Sequence, residues 1–128
     1  HQQRGLIAIY HMLTWFASTQ IRNVACLGGN LVTASPISDM NPMLSCLNAE
    51  LNIASVDGNR TLLVKDFFAG YRKVRLNNNE ILQDIFIPFT REFEFVIPLK
   101  QARRREDDIS IVTSGYLFFF LFFFSLFY

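Results

Sequence analysis

Cysteine and histidine are scarce in this sequence, and the few present do not cluster. Cys26 and Cys46 form no metal-ligand spacing with each other, and His1 and His11 do not complete one, so the chain offers no metal centre of its own. Neither sign of charge dominates. Twelve Lys and Arg stand against eleven Asp and Glu, a net charge of +1, which gives no footprint for a nucleic-acid partner. Two nucleotide signatures are also missing: no Lys-Ser/Thr follows the paired glycines, and there is no GxGxxG. HQQRG has no initiator methionine and no signal-peptide pattern, so the chain is expected to start in mid-protein. The longest apolar run, YLFFFLFFFSLFY at 116–128, has about 13 residues against the roughly 17–25 that a membrane helix needs.

What is there suffices for one domain with a core, since the chain has 128 residues. Two isolated thiols suit a reducing compartment, and the expected location is cytoplasmic, with the peroxisome as the alternative. Seven of the fourteen phenylalanines fall in the last dozen residues, which sets 117–128 apart as an aberrant Phe-rich tail behind a domain at 1–116.

Apolar residues Ile9, Leu13 and Phe16 recur at helical spacing, which predicts an amphipathic helix from Leu6 to Phe16. Asn41-Pro42 predicts a second helix through Ala49, with Asn41 as N-cap and Pro42 at the first helical position. Leu51 to Ser55 alternates as a strand, Asp57-Gly58 reads as its hairpin turn, and Arg60 to Val64 as the partner strand. An aromatic knot at Phe67-Phe68, closed by Gly70, precedes a basic run. Glu80 opens a segment expected to turn through Ile81 and Leu82 and then extend to Ile87, where Pro88 stops it. Phe93, Phe95 and Ile97 alternate as the half-buried face of a strand running to Lys100. A charged loop, QARRREDD, leads to a last strand from Ile109 to Ser114. Short helices followed by antiparallel strands make this an α+β fold.

The stretch GGNLVTASPISD at 28–39 is the most distinctive. Adjacent glycines permit positive φ and close approach, and consecutive N–H groups in such a turn form an anion-binding concavity. Asn30, Thr33, Ser35 and Ser38 add hydrogen-bonding groups, and Asp39 accepts from hydroxyls, which fits a phosphate carrying a ribityl or ribose chain. A polar surface loop has the same composition, and residues alone leave both readings open.

Taken in order, MLTWFASTQIRNVACLGGNLVTASPISDMNP (12–42), FFAGYRK (67–73), EILQDIFIP (80–88) and KQARRREDDISIVTSG (100–115) resemble the flavin domain of the xanthine dehydrogenase/oxidase family, a branch of the molybdenum hydroxylases. Aldehyde oxidases share the fold, and GGN…ASPISD with RREDD looks like the xanthine-oxidising branch. The resemblance implies the second subdomain of a PCMH-type FAD-binding domain, truncated, with short helices packed on a mainly antiparallel sheet. FAD then lies between two subdomains, its pyrophosphate held by two glycine-rich loops, of which Val24 to Asn30 matches the second. Gly28, Gly29 and Asn30 match positions at the phosphate, with Thr33 and Ser35 nearby. Asp39 and Lys100 match a carboxylate and a lysine of the FAD site, Phe16 the aromatic packed on the isoalloxazine ring, and Leu82 a residue lining the cleft. The loop from Gln101 to Ile111 resembles a charged segment that influences flavin electrostatics and NAD access.

Each assignment has a plainer counterpart by pattern. Phe16 and Leu82 read as core residues, Lys100 as solvated, and RRREDD as a turn with internal ion pairs worth little. Three departures stand out. Cys26 occupies a position where the family has Ser or Thr, and a thiol is a weaker donor to phosphate. The first glycine-rich loop is not in this sequence, and the Phe-rich tail replaces the family's continuation. In the full-length enzymes that the resemblance implies, purine oxidation takes place at molybdopterin. Electrons pass through [2Fe–2S] clusters to FAD, and NAD+ or O2 accepts them. Those enzymes are expected to be homodimers. The chain's partners would then be FAD, the N-terminal FAD subdomain, and the iron–sulfur and molybdenum domains. A flavin-domain fragment of an aldehyde oxidase, or a truncated product without activity, are the alternative readings.

Overall fold

The computed structural model describes residues 3–105 and 107–120. Helix α1 spans Arg4–Thr14, ending two residues before Phe16, and its most buried face carries Gly5, Ala8 and Met12. Ile9 and Leu13 are half-buried at the rim of that face. Small residues lead because the helix packs closely: a Cβ on Gly5 would come 3.0 Å from Leu47 Cδ2.

Two further helices, α2 (Thr19–Val24) and α3 (Leu27–Thr33), occupy the region expected to be a glycine-rich loop. Positive φ at glycine is confined among the described residues to Gly58 and Gly70, so Gly28 and Gly29 are helical rather than left-handed. Their freedom is not needed for a turn.

Helix α4 covers Met40–Cys46, with Asp39 at the N-cap. The capping oxygen is that of Ser38, which accepts from the Asn41 N–H at 3.2 Å, so Asn41 lies inside the helix and Pro42 one position beyond it. The helix stops before Ala49 because Asn48 turns left-handed, with φ 52, as C-terminal Asn does at little steric cost.

Strands β1 (Glu50–Ser55) and β2 (Gly58–Leu63) form the hairpin. Ser55 pairs with Gly58, so the two-residue turn is Val56-Asp57 and Gly58 already belongs to the strand. Val64 starts a short helix, α5 (Val64–Phe67), that leads into the small pair β3 (Phe68–Gly70) and β4 (Lys73–Val74). Strand β5 (Glu80–Phe86) is extended from its first residue, with no turn at Ile81 and Leu82. It pairs antiparallel with β1 through a bulge that skips Gln83. The sheet order is β2-β1-β5, and Leu31, Leu44, Leu51, Ile53, Val64 and Phe67 form the core against it.

A second hairpin, β6 (Glu94–Ala102) and β7 (Ser110–Phe119), lies against α1 and α4. Its inner face is the reverse of the one expected. Glu94, Val96, Pro98 and Lys100 point inward, while Phe95, Ile97 and Leu99 are exposed. The register accounts for this. Pro98 pairs with Gly115, where a Cβ would meet Met43 Sδ and Cys46 Cβ at 3.0 Å, and only that face lets the hairpin rest on α4. Residues 117–119 of the Phe-rich tail continue β7, and 121–128 lie outside the described residues. The architecture is α+β, as the sequence indicates.

Candidate functional site

Helix α3 begins with Cys26 as its N-cap, whose sulfur accepts from the Gly29 N–H at 3.4 Å. The N–H groups of Leu27 and Gly28, in the first turn, have no carbonyl of the helix to bond. Neither glycine is demanded by its protein neighbours. A Cβ on Gly28 would lie 3.6 Å from Leu82 Cδ2, and one on Gly29 3.7 Å from Cys26 Cβ, both ordinary contacts. Two glycines in one short helix cost about 1 kcal/mol each relative to alanine. The contacts of the two glycines within the fold give no return for that cost.

Phe16 and Asn30 line two neighbouring cavities. One, of about 250 Å³, is bounded by Ile9, Leu13, Phe16, Cys26, Leu27 and Asn30 among others. The second, of about 210 Å³, adds Ser35, Ser38, Asp39, Asp107 and Asp108. Together they make a trough with an apolar end at α1 and a polar, acidic end at the α3–α4 connection. Asn30 is fixed within it, because Ser38 donates to its Oδ1 at 2.8 Å.

Asp39 closes the polar end. Its Oδ2 accepts from Lys100 Nζ at 2.7 Å and its Oδ1 from the Thr113 hydroxyl at 3.0 Å. Lys100 also donates to the Trp15 carbonyl at 3.0 Å. Both side chains of the ion pair are more than nine-tenths buried, so Lys100 is not the solvated lysine that its neighbouring charge run suggests. Thr113 was not legible as a site residue, although it faces Lys100 in the β6–β7 register.

The remaining expected residues are spread around this trough. Thr33 spends its hydroxyl on the Gly29 carbonyl at 2.8 Å. Ser35 Oγ accepts from the Ile37 N–H at 3.4 Å while lining the trough. Leu82 is half-buried at the edge of the core and underlies Gly28 rather than opening into either cavity. Gln101 to Arg105 and Asp108 wall a separate, basic recess of about 310 Å³ with Trp15 and Lys100. Asp108 is held below the usual carboxylate range, chiefly because the Arg104 N–H donates to it at 2.8 Å. Among the described residues no group of His, Cys, Asp and Glu is arranged to hold a metal ion.

Residues 2–90 match the family model described as the FAD binding domain in molybdopterin dehydrogenase. Xanthine dehydrogenase 1 of Arabidopsis thaliana is 53% identical over 116 residues, covering 90% of this chain and 8% of that protein. Xanthine dehydrogenase of Oryza sativa subsp. japonica is 54% identical over 116 residues, again 90% and 8%. Reconstituted CO dehydrogenase from Oligotropha carboxidovorans superposes with a TM-score of 0.84 at 23% identity, covering 91% of this chain and 40% of that one. The chain therefore spans less than a tenth of the length of the curated relatives it matches.

Proposed function

The chain belongs to the family of FAD-binding domains of molybdopterin dehydrogenases, and on that premise we propose that the trough between α1, α3 and the Asp39–Lys100 pair is its share of the FAD site. The observation that carries this reading is the glycine pair, which is helical, unstrained and unrequired by any protein neighbour. The first turn of α3 would hold the pyrophosphate, with the Leu27 and Gly28 N–H groups available as donors and no Cβ at residues 28 and 29 to crowd it. Asn30 and Ser35 line the path of the ribityl chain, with Cys26 at the N-cap and Thr33 bracing the helix through the Gly29 carbonyl. Phe16, which lines both cavities, would present its ring to the isoalloxazine. Leu82 supports Gly28 from below, and Asp39, held by Lys100 and Thr113, sets the polarity of the far end.

When bound, FAD supplies the redox chemistry that links one-electron donors to a two-electron acceptor. None of these side chains is an acid or base for substrate, and their work is to bind, orient and exclude water. In the whole protein, the proposed role is that of a xanthine dehydrogenase-type oxidoreductase. Molybdopterin, [2Fe–2S] clusters, the NAD+ or O2 acceptor and a homodimeric assembly in the cytoplasm belong to that wider proposal.

A titration of the chain with FAD, followed by amide chemical shifts, tests the reading. Among the described residues one turn is placed to bind phosphate, so the expected Kd is weaker than about 1 µM, with shifts concentrated at 16, 26–30, 35 and 39. Submicromolar affinity, or perturbations elsewhere on the surface, would contradict it.

A further inference from the structure

Between α1 and α2 the chain makes a strained turn. Ala17 has φ 44, a left-handed conformation that is sterically disfavoured for a residue with a Cβ. One side chain holds it. Arg22, from α2, donates through Nη1 to the Phe16 carbonyl at 2.7 Å and to the Ala17 carbonyl at 2.9 Å, and through Nη2 to Thr19 Oγ1 at 3.1 Å. Arg22 takes part in none of the ion pairs among the described residues. Its guanidinium is committed to two main-chain oxygens and one hydroxyl, and the planar fork of donors is what lets one group reach three acceptors.

The position of the turn gives that clamp a consequence. Phe16 is the aromatic residue shared by both cavities of the trough, and Arg22 lines the apolar one beside it. The Phe16 backbone lies just past the end of α1, its N–H donating to the Leu13 carbonyl at 3.2 Å. Nothing else among the described hydrogen bonds ties the Phe16 and Ala17 carbonyls to the rest of the fold.

We propose that Arg22 is a positioning residue: it holds the strained Phe16–Ala17 turn so that the Phe16 ring stays at the junction of the two cavities, ready to pack on a planar aromatic ligand. The ligand half of this statement rests on the FAD reading above, and the clamp half does not. Neutral or shorter side chains cannot satisfy both carbonyls, so the turn relaxes and the ring leaves its place without loss of the core.

Arg22→Gln and Arg22→Lys in the full chain test this by two readouts, hydrogen exchange at the Trp15 and Phe16 amides without ligand, and FAD affinity. For Arg22→Gln, the melting temperature should change little, exchange at both amides should quicken and FAD should bind roughly tenfold more weakly, as expected for losing hydrogen bonds from a charged donor. Arg22→Lys keeps the charge without the fork, should lie between, and guards against a glutamine variant that fails to fold. Adding Ala17→Gly to Arg22→Gln should recover part of the affinity, because glycine holds a left-handed φ without strain. Unchanged exchange would overturn the clamp. Faster exchange with wild-type FAD affinity would overturn the positioning role. If the wild-type chain takes up no FAD, the exchange measurement by itself decides for or against the clamp.

Discussion

Lys100 Nζ lies 2.7 Å from Asp39 Oδ2, with both side chains buried, and this contact fastens the β6–β7 hairpin to the start of α4. The residues are far apart in sequence, and the bond brings one strand, one helix cap and, through the Trp15 carbonyl, the end of α1 to one point. Taking two charges out of water is costly, so the pair is a weak source of net stability, while loss of one partner is strongly destabilising.

Removing one partner leaves the other buried and uncompensated. Lys100→Met is therefore expected to destabilise the chain by about 3–5 kcal/mol, and Asp39→Asn by less because the amide still accepts from Thr113. The double variant should lose less than the sum of the two. Denaturant unfolding of all four proteins gives the coupling, and additive losses would show that the pair is not a unit.

The N-cap of α3 is a thiol, which accepts from the Gly29 N–H over 3.4 Å. Cys26→Ser puts a preferred capping oxygen there and should raise stability by roughly 0.5–1 kcal/mol. In the presence of the remainder of a FAD domain it should also tighten FAD by about 1 kcal/mol, as a hydroxyl replaces a poor donor near phosphate. Thermal melts and FAD titrations of the serine variant check both. A gain in stability without one in affinity would place residue 26 away from the pyrophosphate.

Far from the trough, Arg60 braces β2 to β5. Its Nε and Nη2 donate to the two carboxylate oxygens of Glu80 at 2.6 and 2.7 Å, and this bond is the chief reason that Glu80 is brought from 4.5 down to about 2. A carboxylate whose pKa is lower folded than unfolded stabilises the fold above the unfolded value and loses that contribution as pH falls towards the folded one. Stability should thus decline between pH 4.5 and about 2 through this group. Unfolding measured across that range should be flatter for Glu80→Gln, and an equal slope would exclude Glu80 as a source.

Local signals in the sequence carried much of the fold. The periodicity of Ile9 and Leu13 announced α1, and the alternation from Leu51 to Ser55 announced β1. They failed where tertiary contacts decide. Phe95, Ile97 and Leu99 alternate like a buried face, yet Gly115 against α4 selects the opposite face of the hairpin. The glycine pair reads as a loop because glycine disfavours helices, and it is helical in a segment capped by Cys26 and anchored in the core by Leu31. At the site, the family resemblance named residues that the structure brings around one trough, such as Phe16, Asn30 and Asp39. Thr113 and Arg22 act through partners fixed only by folding, Thr113 on Asp39 from a distant strand, Arg22 on carbonyls that carry no side-chain signature.

The central claim is that Gly28 and Gly29 serve a ligand and not the fold, and alanine substitution at each tests it most directly. Both added methyl groups meet only ordinary contacts within the protein. Gly28→Ala and Gly29→Ala should therefore each gain roughly 0.5–1 kcal/mol of stability from the better helix former. In the same proteins FAD affinity should fall by on the order of tenfold, because each methyl group would crowd a phosphate seated on the first turn of α3. Opposite signs in the melt and in the FAD titration are the predicted result. Alanine variants that gain stability and bind FAD as well as the wild type would contradict it.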